Sequence, residues 1–572
     1  MNKLLLKLSL LVLLVSVNLI TLCQVNSGDL NIDRLYEKTG EQYFSVRVSD
    51  RSAINDLSRI ISIDKVDPTG KVFAYANKKE FQRFLELGLP FEILRHPGIF
   101  EGNLNMKSEI DIRDIEEWDF YPTFDAYVDM MYQFAEEYPE LCQITSFGTT
   151  IMGRQLLAAK ISDNIGVREN EPQVLYTSSI HGDETTGYIL TLRLIDYLLS
   201  NYGTDQKVTN IVDNIEIWIN PLANPDGTYH GGNSTVNNAI RYNANWVDMN
   251  RNYPDPEDGP HPDGEEWQPE TILFMQLAED NNFVSSINFH GGEVVCNYPW
   301  DTWSRLAADD DWWQYVCHEY ADTVHENCPW GYMTDFDNGI TNGYQWYSIS
   351  GGRQDYMNYF QQCREFTLEI SETKLMQPDS LPFYWDYNYR SLLNYLEQSM
   401  YGLRGTVKDS VSGWPVQAEV YAILFEKDSS WVYSELPNGN YHRLLPEGNY
   451  SVRYSAPGYI SRVINNISIT NRQATILDVK LVPEGVGGIE NNAISKLIQF
   501  YPNPLTGNTL YYQTDIDVES ISIYDLAGKK VMDVEVDIES HAIILGPLKN
   551  GLYFVRIDTK NGTGLKKLVI NQ

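Results

Sequence analysis

Four short apolar runs, Gln173–Ile180, Ile215–Asn220, Val284–Phe289 and Phe366–Ile370, punctuate residues 121–400 of a 572-residue chain. Runs of this length and composition read as strands covered on both faces. A helical pattern, Thr186–Tyr202, lies between the first two; Leu192, Ile195, Leu198 and Leu199 form its stripe and Gly203 suits its C-terminal cap. An earlier helix begins after Thr123 and stops before Pro139. Strands alternating with helices over this span predict an α/β domain with a mixed, mainly buried sheet at residues 121–400.

The flanks differ in pattern. Residues 24–105 predict a small N-terminal α/β domain: Tyr43–Val48 and Val72–Ala76 alternate like strands, and Ala53–Ile61 and Lys79–Leu87 have helical spacing. Two readings of it stay open, a propeptide and a permanent accessory module. Pro97 and Gly98 break the pattern, and residues 106–120 read as a linker. Past Tyr401, repeated glycine turns and short alternating runs predict two C-terminal β-sandwich domains, 401–483 and 498–572, with a linker at 484–497.

Lys3 and Lys7 precede a 16-residue apolar run, Leu8–Cys23, shorter than the roughly 18–20 residues that span a bilayer. Residues 1–23 therefore read as a signal peptide. A lipid anchor at Cys23 is the competing reading, disfavoured by Leu22 before it. No transmembrane segment is expected in the mature chain. Cys142, Cys296, Cys317, Cys328 and Cys363 remain, an odd number that leaves at least one thiol free; core thiols with one or two bridges are expected. Lys and Arg number 43 against 78 Asp and Glu, a net charge of −35, which excludes general nucleic-acid binding.

The chemistry gathers where strands end. The first run closes in His181-Gly182-Asp183-Glu184, and the third delivers His290 at its carboxyl end. Ligands collect at the carboxyl ends of strands in open α/β sheets. Two histidines and one glutamate leave a fourth position open, the pattern of a catalytic zinc. Alone, the short His-Gly-Asp-Glu reads as a surface loop and His290 as a core histidine; together they point to a metal. Arg241 through Asn252 adds two arginines and several amides, suited to carboxylate recognition. Glu369 sits inside an apolar run, where a carboxylate is costly unless paired or functional.

Residues 121–400 resemble the zinc metallocarboxypeptidases, most of all the branch of carboxypeptidases N, E, D and M. The resemblance rests on His181-Gly182-Asp183-Glu184, Asn224-Pro225-Asp226-Gly227, Asp248-Met249-Asn250-Arg251-Asn252 and His290-Gly291-Gly292. Asn297-Tyr298-Pro299-Trp300-Asp301, Gly351-Gly352-Arg353-Gln354-Asp355 and Thr367-Leu368-Glu369 complete it. It implies one zinc ion held by His181, Glu184 and His290, with Asp248 orienting a ligating histidine. It implies Glu369 as general base and Arg241 as the group that stabilises the oxyanion. Asn250 and Arg251 would grip the substrate's terminal carboxylate and Tyr347 would close over it. Asp301 and Gln354 would line a pocket for a C-terminal Arg or Lys. Arg353 departs from the branch's usual Met and would undercut that preference if it pointed into the pocket.

Residues 401–483 resemble the transthyretin-like sandwich of the same branch. The last ~75 residues resemble the C-terminal sorting domain of bacterial type IX secretion, through Tyr501-Pro502-Asn503-Pro504, Ile523-Tyr524-Asp525 and Gly551-Leu552-Tyr553-Phe554-Val555. The implied partners are peptide or protein C-termini and the secretion machinery. The implied location is outside the cell or on the bacterial surface. Two other classes stay open: a zinc amidase or peptidase acting on cell-wall or other non-protein carboxylates, and a non-catalytic binding protein on the same scaffold.

Overall fold

The computed structural model describes Tyr36, residues 39–484 except 49 and 68, and residues 493–571 except 515, 535–540, 547 and 561. The expected signal peptide, 1–23, and residues 485–492 of the expected linker lie outside the described residues.

Near the N-terminus, β1 (Glu41–Arg47), β2 (Ser62–Val66), β3 (Lys71–Asn77) and β4 (Phe91–Ile93) form one sheet in the order β2-β3-β1-β4. Two helices, Arg51–Leu57 and Lys78–Glu86, close its apolar face around Phe44, Phe81 and Phe84. Asn77 and Glu80 form a capping box that starts the second helix. Sequence patterning finds β1, β3 and both helices but misses β2 and β4. β2 reads Ser-Ile-Asp-Lys-Val, and its Ser62 and Asp64 are buried against other protein groups rather than facing water; β4 has only three residues.

β5 (Met106–Lys107) and β6 (Tyr121–Pro122) pair with one another. Between them, in the stretch expected as a linker, Ile112, Trp118 and Phe120 join the main core.

The large sheet has eight strands: β7 (Cys142–Thr149), β8 (Gln155–Ile161), β9 (Gln173–Ser178), β10 (Glu216–Asn220), β11 (Phe283–His290), β12 (Val294–Tyr298), β13 (Ile340–Asn342) and β14 (Arg364–Ile370). Their order is β13-β12-β14-β11-β9-β10-β8-β7. The four central strands run parallel, while β12, β8 and β7 pair antiparallel, so the sheet is mixed. Every residue of β9, β11 and β14 is buried. Both faces are covered, as parallel strands require. One cluster takes residues from helices Phe124–Glu137, Thr186–Asn201, Asp310–His325 and Leu381–Gln398. The other takes them from Pro269–Glu279 and Arg353–Phe360.

All five cysteines of the described residues are free thiols, four of them buried, which corrects the expectation of bridges. They sit inside the packed core as small apolar groups.

By compactness the chain divides into two units. The first holds the two sheets above together with residues 420–452 and 464–478. Within it, Leu403–Thr406 pairs with Asn440–Arg443. A buried charge network ties this added segment to β14. Asp309 accepts from Arg364 and Arg443, at 2.7 Å each, and Arg443 also donates to Glu426 at 2.8 and 2.9 Å. The second unit holds residues 407–419, 453–463 and 479–572. Its C-terminal part stacks a sheet of Ile498–Tyr501, Thr509–Thr514 and Ala542–Ile544 and a sheet of Lys530–Val534, Val518–Tyr524, Gly551–Thr559 and Gly562–Ile570 around one apolar core.

Removing one partner of a buried ion network leaves its neighbours' charges uncompensated. Asp309→Ala should therefore lower stability by about 3–5 kcal/mol. Urea unfolding followed by tryptophan fluorescence checks this; an unchanged midpoint would mean the network contributes nothing.

Candidate active site

Three strand ends build the site. β9 stops at Ser178, and Ser179, at φ 56°, turns the chain into the loop that carries His181 and Glu184. The turn is held by Ser179, whose hydroxyl donates to the Glu184 carbonyl at 2.8 Å. Gly182 is obligatory there, because a Cβ would lie 2.3 Å from the Gly227 carbonyl carbon. β11 ends in His290, and the parallel register sets His290 directly beside Glu369 of β14. Neighbouring strands lie roughly 4.8 Å apart, so register alone brings these two side chains together.

The His181, Glu184 and His290 ligand atoms lie within 4.8 Å of one another, and all three residues are buried. Glu184 Oε1 is 2.9 Å from His181 Nδ1, and Oε2 is 2.9 Å from His290 Nδ1. The two Nδ1 atoms face each other at 3.1 Å. Three lone-pair donors aimed at one point suit a cation, and two imidazoles with a carboxylate suit zinc. The outer nitrogens are oriented too: His181 Nε2 lies 3.0 Å from Asp248 Oδ1 and His290 Nε2 lies 2.9 Å from the Asn288 amide. Burial lowers the His290 pKa to about 4, which keeps its ring neutral and its lone pair available. Burial alone would raise Glu184, but His181, Lys374 and His290 outweigh it and hold the carboxyl well below the usual range.

Glu369 behaves oppositely. Burial, then the Glu184 charge, pushes it well above the ordinary carboxylate range. Its Oε2 has no hydrogen-bond partner. Arg241 spans the floor of the site, with Nε 3.2 Å from Asp248 Oδ2 and Nη1 3.3 Å from Glu184 Oε1. Arg251 donates from Nη1 to the Asn250 carbonyl at 2.8 Å, and its buried Nε is unpartnered. Asn250 Oδ1 accepts from the Arg353 backbone at 2.9 Å.

Asp301 is buried beside Asn297 and Gln354, which donate to its Oδ1 at 3.2 and 3.1 Å. Burial pushes its pKa up to about 7. Room beside it depends on Gly343, where a Cβ would lie 1.7 Å from Asp301 Oδ1. Arg353 does not turn toward Asp301. Its guanidinium bonds Glu365 Oε2 of β14 at 2.9 Å and Thr177 of β9.

Nine of the eleven residues singled out in the sequence line one cavity; Asp248 and Gln354 bond to its walls from behind. Sequence reasoning missed Lys374, whose ammonium lies 2.7 Å from Glu184 Oε1 and 2.7 Å from the Gly291 carbonyl. A lone lysine in a loop after β14 carries no local pattern that marks it. Asp64 of β2 also lines the cavity, 2.6 Å from Lys374 Nζ.

Residues 127–391 match the family model described as zinc carboxypeptidase. Residues 499–571 match the one described as a secretion system C-terminal sorting domain. Carboxypeptidase D of Mus musculus is 36% identical over 368 residues, covering 61% of this chain and 26% of that protein. The chain thus spans about a quarter of its carboxypeptidase D relatives. Carboxypeptidase M of Mus musculus is 34% identical over 350 residues, covering 57% of this chain and 76% of that one. The solved structure of carboxypeptidase A from Helicoverpa armigera shares the fold, with a TM-score of 0.50 at 18% identity over 63% of this chain and 98% of its own. Among the described residues no helix is long and apolar enough to cross a membrane.

The Asp248 carboxylate lies 3.0 Å from His181 Nε2; if the His181, Glu184 and His290 cluster holds zinc, Asp248→Ala should weaken its binding by roughly 10–100-fold. Competition with a chromogenic chelator measures this, and unaltered affinity would remove the orienting role.

Proposed function

The chain belongs to the zinc carboxypeptidase family, and from that premise we propose that it is an exported enzyme that hydrolyses C-terminal peptide bonds and releases Arg or Lys. The observation that carries the reading is the convergence on one cavity of the His181, Glu184 and His290 cluster, Glu369 and the guanidinium of Arg251. The first supplies a metal, the second a proton acceptor, the third a counter-charge for a free carboxylate.

His181, Glu184 and His290 would hold a zinc ion, which would supply Lewis acidity and lower the pKa of a water toward about 7. Glu369 takes a proton from the attacking water at its unpartnered Oε2 and passes it to the departing amine. Arg241 faces the negative charge that develops on the scissile carbonyl oxygen. Arg251 and Asn250 hold the terminal carboxylate, which restricts cleavage to the last bond. Tyr347 closes the far side. Asp301, supported by Gln354, attracts a cationic side chain. Arg353 leaves that attraction intact, because its charge is paired with Glu365. The sorting-domain match supports export, and the signal-peptide reading of residues 1–23 agrees with it.

Peptides ending in Arg, Lys, Phe or Glu test the reading. Chelator-sensitive release of Arg and Lys is expected, and Glu369→Gln should cut kcat by roughly 10²–10⁴-fold while zinc content stays at one per chain. Release of Phe in preference to Arg would discard the Asp301 pocket but keep the mechanism.

The pocket also sets a pH dependence. Asp301, with its pKa raised to about 7, is neutral below that value and charged above it. kcat/KM for a peptide ending in Arg should therefore fall, relative to one ending in Leu, as pH drops through about 7. Parallel profiles for the two peptides would remove Asp301 as the charge that selects.

A further inference from the structure

The sheet register gives the site two sides. β12 runs antiparallel to β14, with Asn297 opposite Thr367, Val295 opposite Glu369 and Val294 opposite Ile370. Asn297 and Thr367 lie on the side of Asp301, the pocket assigned to the C-terminal side chain. On the other side of Glu369 the chain leaves the sheet. There Glu293 stands three residues after His290, and Glu372 three residues after Glu369.

A second cavity, of about 270 Å³, lies at that end. One water needs roughly 10–15 Å³, so a side chain has room. Its wall is aromatic. Tyr332 packs on Tyr387 and Tyr384 with ring centroids 5.3 and 5.8 Å apart, and those two lie 6.0 Å from each other. Tyr332 donates to the Ile370 carbonyl at 2.8 Å and accepts from Asn388 at 3.0 Å, which fixes the wall to the end of β14. Trp330 joins the lining and is fully exposed to solvent.

Three carboxylates complete the lining: Glu293, Glu372 and Asp335. Burial raises the Glu293 pKa; Lys65 of β2 opposes that rise, and the charges of Glu372 and Asp335 add to it. Among the described residues none of the three has an ion-pair partner. Glu293 also acts on Glu369, adding to the effects of burial and Glu184, so the cavity adjoins the catalytic carboxylate. Ring faces beside unpaired carboxylates suit an organic cation. A hard metal ion would take oxygen ligands and gain nothing from the rings. A neutral side chain would leave the carboxylates uncompensated.

We propose that this cavity is a second specificity pocket, one that takes the guanidinium or ammonium group of a substrate residue upstream of the scissile bond. The proposal rests on the carboxypeptidase reading. Three residues separate Glu372 from Glu369, a span of at most about 11 Å, so an extended peptide reaches the cavity within about three residues of the cleaved bond. The site thus reads two positive charges, one on either side of Glu369. Asp301 reads the last residue, and Trp330 with the three carboxylates reads an earlier one.

Two measurements on the full chain test this, each with wild type, Trp330→Ala and Glu372→Gln. Both side chains are exposed and lie outside the catalytic machinery. The first is calorimetric binding of Nα-acetyl-arginine methylamide against its citrulline analogue, which has nearly the same shape without the charge; neither offers Arg251 a carboxylate. The arginine probe should bind roughly fivefold more tightly, and either substitution should remove the difference. The second is kcat/KM, with zinc present, for peptides that end in the same Arg and carry Arg or citrulline at each of the three positions before the cleaved bond in turn. An upstream Arg should raise kcat/KM roughly fivefold in wild type and in neither variant, while all three forms cleave the citrulline peptides equally. Hydrolysis with no preference for upstream Arg, and no preference between the probes, would overturn the pocket and leave the carboxypeptidase reading standing. A preference that survives both substitutions would put the cation elsewhere and overturn the pocket too. Probe binding that is lost in the variants, with no peptide hydrolysed by any form, would keep the cation site and overturn the carboxypeptidase reading on which its role in hydrolysis rests.

Discussion

The site depends on one buried carboxylate that is kept charged. Glu184 has almost no solvent, and an isolated carboxylate there would protonate. His181, His290, Arg241 and Lys374 all lie within 3.3 Å of its two oxygens. That ring of donors keeps it anionic, and the anion makes the cluster a place for a divalent cation. The same charge acts outward. Glu369, two strands over from the β9 turn, holds its proton more tightly, first because it is buried and then because Glu184 is charged. Two carboxyl groups in one dry cavity are thereby driven apart, one held charged and the other pushed toward its neutral form.

This arrangement explains which parts were legible in the sequence. The central strands announced themselves as continuous apolar runs because parallel strands are covered on both faces. His181, His290 and Glu369 were legible because each sits at or near the carboxyl end of such a run. Arg353 was ambiguous in the sequence, since a side chain's direction is not encoded in its neighbours; the fold turns it toward Glu365. The segment that was not legible is β2. Its alternation is broken by Asp64 and Lys65, and it looks like a polar turn until its burial partners, Lys374, Arg241 and Asp248, are known. Those partners lie 177 residues or more from Ser62 and Asp64 in the chain, so no local pattern could have supplied them. Lys374 was missed for the same reason. The one or two bridges expected among the cysteines are absent: the expectation came from reading residues 1–23 as a signal peptide, whereas these five thiols are all free and sit in or against the core.

The network of Arg364, Asp309, Arg443 and Glu426 has a further consequence. β14 carries Glu369 near its end and Arg364 at its start, and the charge of Arg364 is balanced in concert with a residue contributed some 80 positions later. The change of pattern near residue 400 is therefore a boundary of topology but not of energy. Transplanting residues 121–400 onto another chain would cut through an ion cluster rather than between modules. Any lineage that exchanges the segments on either side must exchange the four charged positions as a set.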